Sequence, residues 1–372
     1  MKRVLVILLI IISFMSCEKK SKIETDLIKI GCIKQLSVQM AKYGKTQVAA
    51  VTAMKEIYNQ KRKAEGFPLY EILVDDDQLK PTVGVSIIKK FIQLDGVKAV
   101  IGAQGSSVTL AMAPIAEKNK VVLISGASGS PKISGAGDYI FRTCPSDLYE
   151  GQAMADYFNQ KLAGKSLGIL YINNDYGVGL KKVFLSNLNT TPPIMLDLAF
   201  NQGALDFRNQ LTKIKSNNID VIYLVGYNEM INIYKQAKEL GIKSIWLGNN
   251  QLNDQSLIDK MGMTANGTIF PGHHFDLEFV KKNNSDFYNK YIVLSNGVEL
   301  DVFAAYAADA FILINHAVVN GAKTGTDIKD HLYNLKGFKG LLGELSFDKN
   351  GDAIRSLGLN QIVNGKIVKY NH

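Results

Sequence analysis

The sequence predicts an α/β protein of two lobes, each a parallel sheet covered by helices. Three observations carry that expectation. The chain has 372 residues, more than one hydrophobic core comfortably serves. Short β-branched runs alternate with longer segments of helical period, which argues for parallel strands with helices on both faces. The alternation then starts afresh after Pro145.

In the first half, Leu27–Ile33 reads as a strand and Thr46–Gln60 as a helix with Val48, Val51, Met54 and Tyr58 on one side. Tyr70–Val74 is the next strand. The turn Asp75-Asp76-Asp77 leads to a helix with Pro81 near its start and Val85, Ile88 and Ile92 facing inward. Lys98–Ile101 and Val121–Ile124 are further strands, separated by a helix over Thr109–Lys118. In the second half, Ser166–Ile172, Asp220–Val225 and Ser244–Leu247 are strands. Helices are expected near Asp147–Leu162, Gly177–Asn187, Phe207–Asn217 and Glu229–Leu240. Tyr306–Asn320 is a long apolar helix, and Phe347 to Asp352 a polar turn between two strands.

The amino terminus carries an address. Met1-Lys2-Arg3 precedes an apolar run from Val4 to Ile12, then Ser13-Phe14-Met15-Ser16-Cys17. Two basic residues, a short apolar core and a small residue before a cysteine read as a secretion signal. The run is too short to span a bilayer core of about 30 Å as a helix. The cysteine after Ser16 resembles a bacterial lipobox, with Phe14 in place of the usual leucine. Residues 1–16 are therefore expected to be cleaved, Cys17 to carry lipid, and 17–25 to form a polar, lysine-rich tether. The protein is placed in the periplasm or on the outer face of a bacterial membrane.

Hydrophobic residues make up 47% and charged residues 21% of the chain, as in a folded globular protein. The net charge of +9 falls to about +7 once Lys2 and Arg3 leave with the signal. The surplus is scattered in pairs such as Lys181-Lys182, with no basic stripe interleaved with aromatics, so nucleic-acid binding is not expected. Cys32 and Cys144 sit in or beside apolar strand-like segments and read as buried free thiols.

Most chemical motifs fail. Gly164-Lys165-Ser166 precedes a strand rather than following one and lacks the earlier glycine of a phosphate loop, where Asn159 stands. Asp348-x-Asn350-x-Asp352 starts like a calcium loop, but Gly351 comes early and Leu359 replaces the closing glutamate. His273 and His274 would point to opposite faces of a strand, and His316, His331 and His372 are scattered, so no metal or other cofactor is expected. There is no Gly-x-Ser-x-Gly elbow. Two glycine- and serine-rich segments survive, Gly102 to Ser107 and Ser125 to Pro131, each following a strand. Loops at the carboxyl ends of parallel strands line the ligand crevice of such folds. Amides at a helix start attract a carboxylate and serine hydroxyls add donors.

With those loops placed, the chain from Ile28 to about Lys369 resembles the type I periplasmic binding proteins. The nearest branch is the one that binds branched-chain amino acids for ABC importers. The markers are Ile28-Lys29-Ile30-Gly31, Tyr43-Gly44, Val100-Ile101-Gly102 with Ser106-Ser107, and Phe141-Arg142-Thr143. They continue with Asn174-Asp175-Tyr176-Gly177-x-Gly179, Gly226-Tyr227 with Glu229-Met230, and Phe347-Asp348-x-x-Gly351-Asp352. The resemblance implies two Rossmann-like lobes joined by three crossovers, near Arg142–Cys144, Phe270–Gly272 and Gly340–Gly343. Residues 26–143 plus 272–340 would form one lobe and 144–271 plus 341–372 the other, closing on a ligand by a hinge motion, as a Venus flytrap.

The resemblance also implies a site. Ser106, with Ser107 beside it, matches the serine that receives a ligand carboxylate. Ser128 and Gly129 match a second carboxylate loop, where Gly129 replaces a common threonine and Ser130 can substitute. Tyr43, Tyr176 and Tyr227 match aromatic cleft residues, able to face a cation. Asn250 stands where amino-acid binders carry a glutamate for the ligand ammonium. An amide supplies no charge, and a buried ammonium without a partner is costly. Either Asp254 or Glu229 supplies the charge, or the ligand is an amide, a carboxylate or another small polar solute.

The expected role is a lipid-anchored monomer that captures such a solute and hands it to an ABC permease, touching the membrane only through its anchor. The alternative is a sensor that presents its closed form to a signalling protein. An enzyme would need a nucleophile and base in the cleft, and the matched positions hold no histidine or cysteine, so no catalytic residues are expected.

Overall fold

A computed structural model of the chain describes residues 27–37, 40–273, 275–355 and 357–370. The signal, Cys17, the tether, His274 and His372 lie outside the described residues.

The first lobe opens with β1 (Ile28–Lys34), α1 (Ala41–Glu65), β2 (Tyr70–Asp76), α2 (Pro81–Gln93), β3 (Ala99–Ile101), α3 (Ser106–Lys118), β4 (Val122–Ser125) and β5 (Ile140–Arg142). The chain then enters the second lobe through α4 (Asp147–Lys161), β6 (Leu167–Ile172), α5 (Asp175–Ser186), β7 (Met195–Phe200), α6 (Arg208–Ser216), β8 (Val221–Val225), α7 (Met230–Glu239), β9 (Ile245–Leu247), α8 (Gln255–Met261) and β10 (Ile269–His273). It returns to the first with α9 (Leu277–Asn283), α10 (Ser285–Leu294), α11 (Val302–Val319), α12 (Gly325–Asn334) and the small hairpin β11 (Phe338–Gly340) and β12 (Gly343–Leu345). The final strands, β13 (Leu357–Val363) and β14 (Lys366–Lys369), belong to the second lobe.

The first sheet runs β2-β1-β3-β4-β5, parallel throughout. Its apolar strands pack on both faces: Ile87, Ile88, Phe91 and Met112 of α2 and α3 on one, α1, α11 and α12 on the other. The buried stripe of α2 is centred on Ile87, Ile88 and Phe91, with Val85 and Ile92 at its half-buried edges. Helix α11 is long and apolar enough to cross a membrane by composition, yet nearly all of it is buried in the first lobe's core.

The second sheet runs β14-β13-β10-β9-β8-β6-β7. Strands β6 to β10 are parallel, but β13 and β14 add antiparallel to β10 at the edge. This sheet is thus mixed, because the tail re-enters as a hairpin turned at Asn364-Gly365, without a crossover helix.

In both sheets the strand order reverses beside the first strand of the lobe, between β1 and β3 and between β6 and β8. The loops leaving β3, β4, β6, β8 and β9 at their carboxyl ends converge between the lobes.

The third crossing comes later than the expected 340–343. Leu341, Leu345, Phe347 and Ala353 all lie in the first lobe's core. Phe347 meets Phe141 edge to face at 5.2 Å, and the sheet-like bridge from Arg142 to Asp352 extends β5. Only after Ala353 does the chain leave, held by Arg355 to Asp309 (2.8 Å), the Thr143 carbonyl (3.1 Å) and the Leu342 carbonyl (2.9 Å).

One buried side chain ties these segments together. The Arg142 guanidinium donates to both Asp352 carboxylate oxygens (2.6 and 2.9 Å), to the carbonyls of Gly129 (2.7 Å) and Ser130 (3.0 Å), and to the hydroxyls of Ser134 and Ser146. Ser146 in turn caps α4 by accepting from the Leu148 amide. Cys32 and Cys144 are buried free thiols, as the sequence suggests.

Replacing Arg142 with Met should cost about 3–5 kcal/mol in denaturant melts, because Asp352 is left buried and unpaired. The double change Arg142→Met with Asp352→Leu should recover part of that loss. A single-variant cost under about 1 kcal/mol would contradict the assignment.

Asp77 offers a second check. Its carboxyl is fully buried and pushed up to about 6 by that burial, against the pull of the Leu79 amide and the Lys34 ammonium. A carboxyl raised in the folded state binds its proton before the unfolded chain does. Its destabilising effect, roughly 3 kcal/mol at most for two pH units, is therefore full above about pH 6 and fades as pH falls towards 4. Stability should rise between pH 7 and 5, and Asp77→Asn, which keeps an acceptor for the Leu79 amide, should flatten that rise.

Candidate functional site

A small, nearly closed hollow lies where the two sets of loops meet, with only about 10 Å³ open to a water-sized molecule. Met40, Leu79, Gln104, Gly105, Ser106 and Ala127 line it from the first lobe, and Tyr176, Tyr227 and Gln251 from the second. A wider surface depression around Lys165, Asp220 and Ser244 sits at the amino ends of β6, β8 and β9, away from this convergence.

Ser106 begins α3, and its Oγ accepts from the Ser130 amide (3.2 Å), which leaves the hydroxyl proton free to donate. Ser107 and Ser130 work across the cleft. The Asp175 amide donates to Ser107 Oγ (3.3 Å), and Ser130 Oγ donates to the Asp175 carbonyl (3.1 Å). With the Lys132–Asp175 ion pair (2.8 Å) they hold the lobes against each other. Ser128 has turned away: its hydroxyl is engaged by the carbonyls of Ala103 and Gln104 (both 3.1 Å) and by Thr109 (2.8 Å). It stiffens the loop and does not face the hollow.

Asn174 places the tyrosines. As cap of α5 it accepts from the amides of Tyr176 (3.1 Å) and Gly177 (3.0 Å). Tyr176 then stacks on Tyr227, with ring centroids 5.4 Å apart and planes 12° from parallel. Asn249 donates to the Tyr176 hydroxyl (2.8 Å), which donates to Asn250 Oδ1 (3.3 Å).

Tyr43 stands to one side. It packs edge-on to Phe303 and donates to Asp254 (2.6 Å), which also pairs with Lys42 (3.0 Å). Tyr43-Gly44 is fixed by packing as well, since a Cβ on residue 44 would collide with the Gln35 carbonyl.

Neither candidate for the missing charge is free. The Lys42 charge and the Tyr43 hydrogen bond outweigh burial and hold Asp254 below the usual carboxylate range. Glu229 is occupied by the amides of Gly203 (2.8 Å) and Tyr227 (3.1 Å).

Two other acids, unmarked in the sequence reading, lie beside the site on the first turn of α4. Glu150 Oε1 accepts from the Asn250 amide (3.0 Å). Asp147 is fully buried, and neither carboxylate oxygen has a hydrogen-bond partner. Burial raises both, and for Glu150 the neighbouring Asp147 charge raises it further. Acids in a first helical turn ordinarily read as solvated caps, so nothing local announces their burial. Gln104 and Gln251 were within reach of sequence reasoning, being neighbours of residues already chosen.

His316 and His331, distant in sequence, meet through Nδ1 and Nε2 at 2.7 Å. Among the described residues no group of three metal-ligating side chains converges.

Comparison with known proteins agrees with this architecture. The sequence model of the periplasmic binding protein family matches residues 27–366. The Leu/Ile/Val-binding protein of Citrobacter freundii is 26% identical over 337 residues, which cover 87% of this chain and 88% of that one. The crystal structure of a leucine-binding protein from Thermotoga maritima superposes with a TM-score of 0.82 at 27% identity, over 92% of this chain and 98% of that one. A branched-chain amino-acid transporter substrate-binding protein from Streptococcus pneumoniae, solved with isoleucine, gives 0.80 at 27% identity, over 92% and 97%. The parallel lobes, the loops converging between them and the match along nearly the whole chain lead to one conclusion: this protein belongs to the periplasmic binding protein family.

Proposed function

We propose that this chain is an extracytoplasmic solute-binding lipoprotein, anchored at Cys17, that captures a small polar ligand between its lobes and delivers it to an ABC permease. The observation that carries the reading is the interlobe hollow, where Ser106 at the start of α3 faces the stacked pair Tyr176 and Tyr227. The 13-residue helix α3 presents its positive end there and favours an anionic group. The tyrosines supply a flat, partly apolar wall for the rest of the ligand. The relatives that bind branched-chain amino acids support an amino acid or a related amide or carboxylate as the solute. The polar bridges around Asp175 support a closed form that forms only when the lobes meet.

A thermal-shift screen over amino acids, their amides and short carboxylates tests this directly. A ligand at 100 times its Kd should add roughly 2.7 kcal/mol of stability. Ser106→Ala should weaken that ligand by about 1–3 kcal/mol through loss of a hydrogen bond to a charged group. An unchanged Kd would remove Ser106 from the site.

Restoring a glutamate at 250 is not a simple gain. It would place a third acid beside Glu150, next to a tyrosine hydroxyl already engaged by Asn250. Asn250→Glu alone should therefore lower stability by about 1–3 kcal/mol, and adding Glu150→Gln should recover most of it. Equal melting temperatures for the single and double variants would count against that electrostatic account.

A further inference from the structure

Resting on the reading that a ligand occupies the interlobe hollow, we infer that Asp147 and Glu150, with the Tyr223 hydroxyl, form the subsite for a cationic nitrogen of that ligand. The solute is therefore an amine-bearing molecule, an amino acid in the first instance, and not a plain carboxylate or amide.

The argument begins with an imbalance. Asp147 and Glu150 are fully enclosed acids on one helical turn. The nearby cation, Arg142, is already committed to Asp352, two hydroxyls and the loop carbonyls. Neither Asp147 oxygen has a partner, and the buried Tyr223 hydroxyl has none either. Buried polar groups are normally satisfied, and a cluster that is not points to something that completes it. Tyr176 and Tyr223 both feel the charges of Glu150 and Asp147, and Tyr227 that of Asp147. Glu150 and the Tyr176 hydroxyl both bond Asn250, which sets the pair beside the aromatic wall of the hollow.

The same pair accounts for both departures from the family's pattern. A Cβ on residue 129 would collide with the Asp147 carboxylate, so glycine at 129 is what makes room for it. Glu150 accepts from the backbone amide of Asn250, so α4 brings a carboxylate beside the position that lacks one. Loss of a side chain at 129 and loss of charge at 250 are two sides of one relocation.

The substitution Asp147→Asn keeps the shape and forfeits no hydrogen bond, and Glu150→Gln keeps the acceptor for Asn250. Each should raise the melting temperature of the unliganded chain, since the cost of burying an ionisable carboxyl with no counter-charge is removed. The binding arm uses matched probes on the purified chain: each aliphatic amino acid, its deaminated acid, its decarboxylated amine, and 4-hydroxybenzoate as a cation-free control. The expected result is a melting shift with amino acids and none with deaminated acids or benzoate, and at least a tenfold loss of amino-acid affinity in Asp147→Asn. Cation-free acids binding wild type and Asp147→Asn equally well would overturn the subsite while leaving solute capture intact. A wild type unmoved by every probe, with unliganded melting lowered by Asp147→Asn, would overturn both.

Discussion

The geometry of the cleft depends on one enclosed guanidinium. Arg142 ends β5 at the first passage between lobes, and Asp352 reaches it from the last segment before the third. Arg142, itself held by Asp352, donates to the carbonyls of Gly129 and Ser130, the loop that opposes the tyrosines. Charged groups are expensive to enclose, and here the cost is offset by a bidentate pairing and four further acceptors. A loop of small residues would otherwise be mobile. Arg142 fixes it to the first passage between the lobes, so the crossing and the loop share one anchor.

That sharing gives the two lobes different roles. The first lobe presents the Ser106 hydroxyl and the start of α3, and the second presents the rings of Tyr176 and Tyr227 with Gln251. Closure through Ser107, Ser130, Lys132 and Asp175 adds only modest, partly exposed contacts, each worth little alone. On the proposed reading, a ligand bridging both faces would contribute much of the free energy that favours the closed arrangement, as a population shift requires.

Much of this was legible in the sequence, and the exceptions have physical causes. Strands buried on both faces announce themselves as β-branched runs, so the seven strands expected from them all appear, displaced by a residue or two. Strand β7 was missed because it is an edge, with half of its residues exposed, and edges lack that signature. The loop carrying Ser106 was found because the topology dictates where glycine and serine must line a crevice. Ser128 reads ambiguously because a small hydroxyl serves equally well as a donor to a ligand and as a staple within a loop, and here it bonds the Ala103 and Gln104 carbonyls. Asp147 and Glu150 were invisible because burial of a helix's first turn is decided by packing from the other lobe. The late third crossing was hidden for a similar reason: the partners of Phe347 and Asp352 lie some two hundred residues upstream.

The late crossing also governs how the molecule can be built. The core of the first lobe is incomplete until Phe347 and Ala353 exist, and the second sheet until β13 and β14 have been added. Synthesis finishes neither lobe before the other, although they read as two consecutive units. An emerging chain cannot complete either core until nearly its whole length is available, and such contacts of long sequence separation slow folding. Such a molecule matures as a whole, and truncating its tail would leave two unfinished lobes rather than one sound and one damaged.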